Sequence, residues 1–545
     1  MPKSSEADSS PPPGGPASAR KRRTPGRSIL LLPLGALLVI IGGIGLLTGD
    51  EEDQGTAEPN VVLIVTDDQT LEAMNERTMP QTLDFLGEQG TTFTNAVVTT
   101  PLCCPSRASI LTGQYSHNHR VLLNNPGYPS LESKRNVLPT WMQRAGYRTA
   151  HVGKFLNHYE DWPPDPADVA PGWDEWRTLM KPFQYYGYGL SMNGTREEFG
   201  DSDEDYLTSV LTDNAVELIR SQATRPKPLF LQLDYLAPHF QNTDTGGRCG
   251  NYPVPGPGDE EAFIDAPIPQ PPSFDEADIS DKPAAIQSKP RIGARQQRQI
   301  QLRYGCETAS LLAVDDGIAR IHEALSETGE LEETMIIFLS DNGFFHGEHR
   351  LPAQKGLLYE EAVRVPMLIR MGNALPSAGQ PGAVVEQAVA NIDLAPTILE
   401  LAGGEPCRSA DKCRVMDGRS LLGLLSGDQS SWPADRDVLL EVTQSSDRKG
   451  DKSLCSYVGV RNESSTYIEH VRAPNPRTES CEPSDEVESY DLETDGFQLD
   501  NLAPAQPGTP AFESEQALAA RLDELETCAG IEGRDPKPAS GNFCE

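Results

Sequence analysis

VVLIVTDDQ, residues 61–69, is the stretch that decides the fold. Its first six residues are valine, leucine, isoleucine and threonine, with no polar alternation. Such a run fits a strand covered on both faces, as in a parallel sheet. The strand ends abruptly on two carboxylates, Asp67 and Asp68. Three other apolar runs repeat the pattern. Residues 148–152 lead into Gly153 and Lys154, residues 229–235 into Ala237-Pro238-His239, and residues 335–340 into Asp341-Asn342-Gly343. Helical segments separate them: residues 79–89 stop at Gly90, and the long amphipathic stretch 295–326 stops at Gly329. Strands alternating with helices predict an α/β fold, a doubly wound and mostly parallel sheet. In such sheets ligands bind beyond the carboxyl ends of the strands. Here those ends carry Asp, Asp, Lys, His, Asp and Asn.

Outward from this core the chain changes character. Residues 241–293 are rich in proline, glycine and acid and read as a long excursion that shapes the site. Beyond about residue 430 the strand signals shorten to 438–442, 456–460 and 465–471. The expected organisation is a catalytic domain over 59–430 and a smaller α+β subdomain with an antiparallel sheet over 431–545. Residues 1–27 read as a disordered, basic cytoplasmic segment. Residues 28–48 include the uncharged run ILLLPLGALLVIIGGIGLL, expected to be a signal-anchor in the membrane, or a signal peptide if cleaved. The basic residues before it place the remainder outside the cytoplasm. Residues 49–58 read as a linker.

Composition narrows the partners. The 545-residue chain has 46 Lys and Arg against 81 Asp and Glu, a net charge of −35. That excess argues against nucleic-acid binding, which needs surplus cations. An anionic substrate would require a local cationic pocket or a metal ion. Ten cysteines are present. Cys103 and Cys104 are adjacent, and the other eight lack the C-x-x-C spacing of zinc sites. Disulfides in an oxidising compartment are expected, with the sequence-local pairs Cys407–Cys413 and Cys528–Cys544 among them.

In CCPSRASILTG, residues 103–113, Pro105 suits the first turn of a helix that runs through Leu111 and stops near Gly113. Cys103 then lies at the helix N-terminus, where the dipole favours negative charge, with Arg107 on roughly the same face. Read alone, Cys103 is a reactive thiol, half of a disulfide or a buried apolar residue.

The pattern C-x-P-S-R-A-x-x-x-T-G, matched from Cys103 to Gly113, resembles the signature of the type I sulfatases. PNVVLIVTDDQ, LSDNG and SYDLETDGFQLDNLA resemble further family segments, so the likeness extends along most of 59–503. It implies an alkaline-phosphatase-like fold and hydrolysis of sulfate esters. It also implies that Cys103 is converted to formylglycine by a formylglycine-generating enzyme, and that its hydrated aldehyde attacks sulfur. By the same resemblance Asp67, Asp68, Asp341 and Asn342 hold one divalent cation, Ca2+ or alternatively Mg2+, with residue 103 completing the shell. Their all-oxygen donor set is what those cations prefer. Arg107, Lys154 and Lys355 would gather around the sulfate, and His239 would protonate the leaving oxygen. Many members carry a histidine two residues after the lysine matched by Lys154; here Leu156 stands there, and Asn157 is the nearby polar candidate. GKFLN, CCPSR and SHNH together resemble the subgroup acting on 6-sulfated N-acetylglucosamine in glycosaminoglycans. His117 and Asn157 in these segments, and His346 and His349 flanking Gly347-Glu348 in a segment that resembles the family's G-E-H stretch, are candidate substrate-side residues. Two other readings stay open: a phosphonate or phosphate ester hydrolase of the same superfamily, and a non-enzymatic glycan-binding protein with an unmodified Cys103.

Mass spectrometry of the peptide containing residue 103, from protein made in its own host, is expected to show the aldehyde or its hydrate. An intact thiol in every copy would favour the binding-protein reading.

Overall fold

The strand Asn60–Thr66 is buried along its whole length. Its side chains alternate between two cores. Val61, Leu63 and Val65 pack with Ala108, Leu111 and Trp141 on one face. Val62 and Ile64 pack with Leu211, Val314 and Ile318 on the other. Burying each such side chain contributes about 1.5–3 kcal/mol, so the unbroken apolar run is what a two-sided sheet demands.

Ten strands form this sheet, in the order Ala383–Val385, Thr91–Phe93, Met367–Met371, Thr334–Ser340, Asn60–Thr66, Leu229–Asp234, Arg148–Gly153, Glu175–Met180, Gly189–Met192, Thr195–Glu198. The five from Thr334–Ser340 to Glu175–Met180 are parallel. Met367–Met371 is antiparallel to its neighbours, and Gly189–Met192 with Thr195–Glu198 adds an antiparallel hairpin. The computed structural model describes residues 58–545 except 162–164, 166, 245, 264, 410–411, 431, 444–454 and 475–480. The expected basic segment 1–27, the membrane stretch 28–48 and linker residues 49–57 lie outside the described residues. Among the described residues no helix is long and apolar enough to cross a membrane.

The helices fall close to their expected places. The long one is Ala294–Thr328, closed by Gly329 in the left-handed region at φ 77°. The stretch expected as helix over 79–89 is one turn, Pro80–Thr82, followed by a π-helical turn, Leu83–Glu88. Residues 241–293 are an excursion with one short helix, Ala284–Gln287, tied to the long helix by the Cys249–Cys306 disulfide. Cys407–Cys413 and Cys528–Cys544 pair as expected, and Cys455–Cys481 is the fourth bridge. Cys103 and Cys104 are buried and free.

The C-terminal strands Val438–Val442, Ser456–Arg461, Ser465–Pro474, Cys481–Pro483 and Val487–Asp491 form a separate antiparallel sheet. The helix Pro510–Leu525 packs against it, with Leu518 and Leu522 against Val458 and Val460. Leu440, Tyr457 and Ile468 pack instead against Leu358 and Tyr359 of the catalytic body.

Register puts the polar strand ends at one level. Thr66 pairs with Ser340, Val65 with Asp234, and Gly153 with Asp234. Gly153 holds φ 105°, and a Cβ there would lie 1.9 Å from the Asp234 carbonyl oxygen. Only glycine lets the two strands close at the residue preceding Lys154. Gly153→Ala is expected to destabilise the fold by about 3 kcal/mol or more, measured by denaturant unfolding. A wild-type midpoint would contradict this account of the junction.

Candidate active site and metal centre

The helix Cys103–Thr112 is buried throughout and begins at the cysteine, after Leu102 in extended conformation. Gly113 ends it at φ 65°, its N–H donating to the Ser109 carbonyl. Arg107, one turn in, reaches across the strand ends. Its Nε donates to Asp341 Oδ2 at 2.8 Å, Nη1 lies 3.2 Å from Asp234 Oδ1, and Nη2 lies 3.3 Å from Asp67 Oδ2. Nη1 also donates to the Lys154 carbonyl at 2.9 Å.

Around the cysteine the predicted residues converge. Lys355 Nζ lies 2.8 Å from Cys103 Sγ and is ion-paired with Asp68. Lys154 is ion-paired with Asp67. Cys103 Sγ is 3.3 Å from Asp67 Oδ1. Asp68 sits at φ 71°, a left-handed conformation that turns its carboxylate toward the same centre as its neighbour's. Ligand atoms of Asp67, Asp68, Cys103 and Asp341 all lie within 4.8 Å of one another, as do those of Asp67, Cys103 and His239. His239 Nε2 is 3.8 Å from Asp68 Oδ2. Its Nδ1 is 2.6 Å from the Phe240 carbonyl, which fixes the proton on Nδ1 and leaves Nε2 facing the site.

Burial pushes the Asp67 carboxyl up, but Lys154, His239, Arg107 and Lys355 outweigh it and hold the group well below the usual carboxylate range. Burial and the charge of Asp67 push Asp341 up to about 6. Burial and Asp67 also raise the Cys103 thiol, so the unmodified side chain is a protonated, poorly nucleophilic thiol. Burial and Lys154 lower His239 to about 4.

The donor set fits a hard divalent cation. Three carboxylates converge, and the buried Asn342 Oδ1 has no hydrogen-bond donor while its Nδ2 donates to Asp68 Oδ1 at 2.6 Å. A raised Asp341 beside two other carboxylates marks a deficit of positive charge that such a cation would fill. An oxygen at position 103 would suit the set better than sulfur.

Other candidates lie elsewhere. His117 pairs with Glu441 at 3.2 Å and bonds the Cys528 carbonyl at 3.0 Å, in the contact with the C-terminal part of the chain. His346 is ion-paired with Glu307. His349 is fully buried between Glu276, at 2.7 Å, and Glu361, at 3.6 Å. Leu156 is a core residue. The Asn157 carbonyl accepts from Tyr128 N, while its buried Oδ1 has no hydrogen-bond partner. Two residues not singled out from the sequence complete the inner layer. Asp234 Oδ2 lies 2.9 Å from His151 Nε2, and His151 Nδ1 lies 2.7 Å from Thr178 Oγ1. Their signal was a carboxylate and an imidazole inside otherwise apolar, both-face-buried strands.

Comparison with known proteins agrees with this geometry. The family model "Sulfatase" matches residues 59–404, and "N-sulphoglucosamine sulphohydrolase, C-terminal" matches residues 347–526. The chain belongs to the sulfatase family. It is 32% identical to the N-acetylglucosamine-6-sulfatase of Homo sapiens, over 95% of this chain and 93% of that protein. It is 34% identical to an extracellular sulfatase SULF-1 homolog of Drosophila melanogaster over 70% of this chain, spanning 33% of that longer protein. It spans 49% of a putative extracellular sulfatase Sulf-1 homolog of Caenorhabditis elegans. Solved structures share the alkaline-phosphatase-like fold. BT4656, in complex with its substrate D-glucosamine-2-N,6-O-disulfate, has a TM-score of 0.68 at 23% identity, covering 86% of this chain and 97% of that one. A phosphonate monoester hydrolase of Agrobacterium radiobacter has a TM-score of 0.62 at 19% identity, covering 89% and 99%.

Calcium added to metal-stripped protein is expected to raise the melting temperature, by about 2.7 kcal/mol of stability at a hundredfold excess over Kd. Asp341→Ala should abolish that shift. An unchanged shift in the variant would remove Asp341 from the metal centre.

Proposed function

We propose that this protein hydrolyses sulfate esters of glycans, releasing inorganic sulfate, with 6-O-sulfated glucosamine units as the substrate class. The observation that carries the reading is the placement of Cys103: buried at a helix start, 2.8 Å from Lys355 Nζ and clustered with Asp67, Asp68 and Asp341. The substrate class is supported by the near full-length likeness to N-acetylglucosamine-6-sulfatase.

In this reading Cys103 is matured to formylglycine by a formylglycine-generating enzyme, and the hydrated aldehyde supplies two hydroxyls where a thiol would offer none. Asp67, Asp68, Asp341 and Asn342 hold Ca2+, which when bound supplies Lewis-acid polarisation of a sulfate oxygen and a lowered pKa for the nucleophile. The chain's own residues do the rest. Lys154 and Lys355 offset the charge of the sulfate and hold it against residue 103. Arg107 fixes the carboxylates around that point. His239 Nε2 donates a proton to the departing alcohol oxygen. The anionic ester beside it favours the imidazolium that Lys154 and burial otherwise disfavour. Water completes the reaction: the S–O bond to the alcohol breaks, the alcohol leaves with a proton, and sulfate leaves with the water oxygen.

The protein acts outside the cytoplasm in this reading, which its four disulfides support. Anchoring through residues 29–47 is part of the proposal. Cys103→Ser is expected to release a single equivalent of alcohol from an aryl sulfate and then stop, because serine lacks the second hydroxyl. Sustained turnover by that variant would reject the mechanism. Faster wild-type turnover of a matched aryl phosphonate than of the aryl sulfate would move the assignment to the phosphonate hydrolases.

A further inference from the structure

Lys355 stands in a stretch with no regular structure of its own. It follows the Phe345–Gln354 bridge and precedes the short helix Glu360–Val363. A lysine side chain has four rotatable bonds, so its ammonium reaches a fixed point only if the backbone beneath it is fixed. The bridge holds the backbone before it, and the contacts after it come from the C-terminal sheet and the segment that follows that sheet. Tyr359 Oη donates to Glu488 Oε2 at 2.7 Å. Arg461 grips Glu360 with two bonds, Nε to Oε1 at 2.7 Å and Nη2 to Oε2 at 2.9 Å. Gln498 Oε1 accepts from the Glu360 N–H at 2.7 Å.

Glu488 is itself 1% exposed and fully engaged. It accepts from Tyr490 Oη at 2.5 Å and lies 2.6 Å from His470 Nε2. On its other side the Tyr359 ring stacks on His349, with centroids 4.3 Å apart. His349 meets Glu276 at 2.7 Å, Glu276 meets Lys282 at 3.2 Å, and Lys282 lies 5.4 Å over the Tyr490 ring. The polar groups therefore close a buried circuit around Tyr359, four residues from Lys355. Within it the buried carboxylates of Glu276 and Glu488 are both paired, and moving either would leave a charge without its partner.

We infer that the C-terminal sheet sets the position of Lys355, with Tyr359 and Glu488 as positioning residues that act through that lysine. The inference rests on the proposed function for what Lys355 does, and it extends the reaction's requirements to a sheet whose described side chains make no contact with Cys103. It also gives His349, Glu276 and Lys282 a place as supports of Tyr359.

The test compares wild type, Tyr359→Phe, Lys355→Ala and the double variant. Tyr359→Phe removes one hydroxyl and leaves Glu488 bonded to Tyr490 and His470, so no buried carboxylate is orphaned. Two quantities are read: kcat/KM for a sulfate ester, and Kd for inorganic sulfate by thermal shift. Tyr359→Phe is expected to lower kcat/KM about tenfold, as a modest misplacement of a charge-bearing group does. It should weaken sulfate binding in parallel. In the Lys355→Ala background the same change should add nothing further, the non-additivity of residues acting as one unit. Glu488→Gln keeps an acceptor for the Tyr359 hydroxyl and should retain most activity. Full activity and sulfate affinity in Tyr359→Phe would overturn the inference, as would losses that add in the double variant. If wild type hydrolyses no sulfate ester, the proposed function fails on its own. The coupling between Tyr359 and Lys355 is then decided by sulfate affinity alone.

Discussion

The guanidinium of Arg107 is the interaction on which the rest depends. It is 1% exposed and faces Asp67, Asp234 and Asp341, each delivered by a different strand. A buried charge costs several kcal/mol unless it is paired and hydrogen-bonded. The helix that carries Cys103 and the strand ends that carry the carboxylates must therefore arrive together. A lysine is no equivalent, since its three donors radiate from one nitrogen, whereas the planar guanidinium meets the three carboxylates with three separate nitrogens. The sequence reading placed Arg107 beside the sulfate; the structure shows its nitrogens already committed to the carboxylates and the Lys154 carbonyl.

The inner site concentrates cations that the acidic chain as a whole has few of. The chain carries −35, yet the inner site gathers Arg107, Lys154 and Lys355 around Cys103 and its carboxylates. The carboxylates and the lysines are paired with each other, Asp67 with Lys154 and Asp68 with Lys355. A divalent cation with an anionic ester would exchange partners within this set, cation to carboxylate and lysine to sulfate. Such an exchange would keep charges matched in a buried site.

Two outer elements converge on one segment. The 241–293 excursion and the C-terminal sheet both pack on the Lys355 segment, through Glu276 to His349 and through Glu488 to Tyr359. The elements that differ most from the parallel core thus meet at the segment that carries Lys355. That division leaves the reaction centre on rigid strand ends and the adaptable surface on loops.

The sequence by itself determined the buried parallel strands, the helix starting at Cys103 and the carboxylates at the strand ends, because these depend on local patterns: unbroken apolar runs, a proline at a helix start, acids where a strand stops. It also held the local disulfides, Cys407–Cys413 and Cys528–Cys544, whose loops are short. Only the tertiary structure decided which histidine lies beside Cys103. His239 lies within 4.8 Å of the cysteine sulfur, whereas His117, His346 and His349 are held by glutamates elsewhere. An imidazole carries no mark in sequence of the partner it will meet: Glu441 lies 324 residues from His117, Glu307 lies 39 from His346, and Glu276 lies 73 from His349. The roles of Asp234, His151 and Glu488 were hidden for the same reason: their meaning is a contact, and contacts between distant segments exist only once the sheet has set its register.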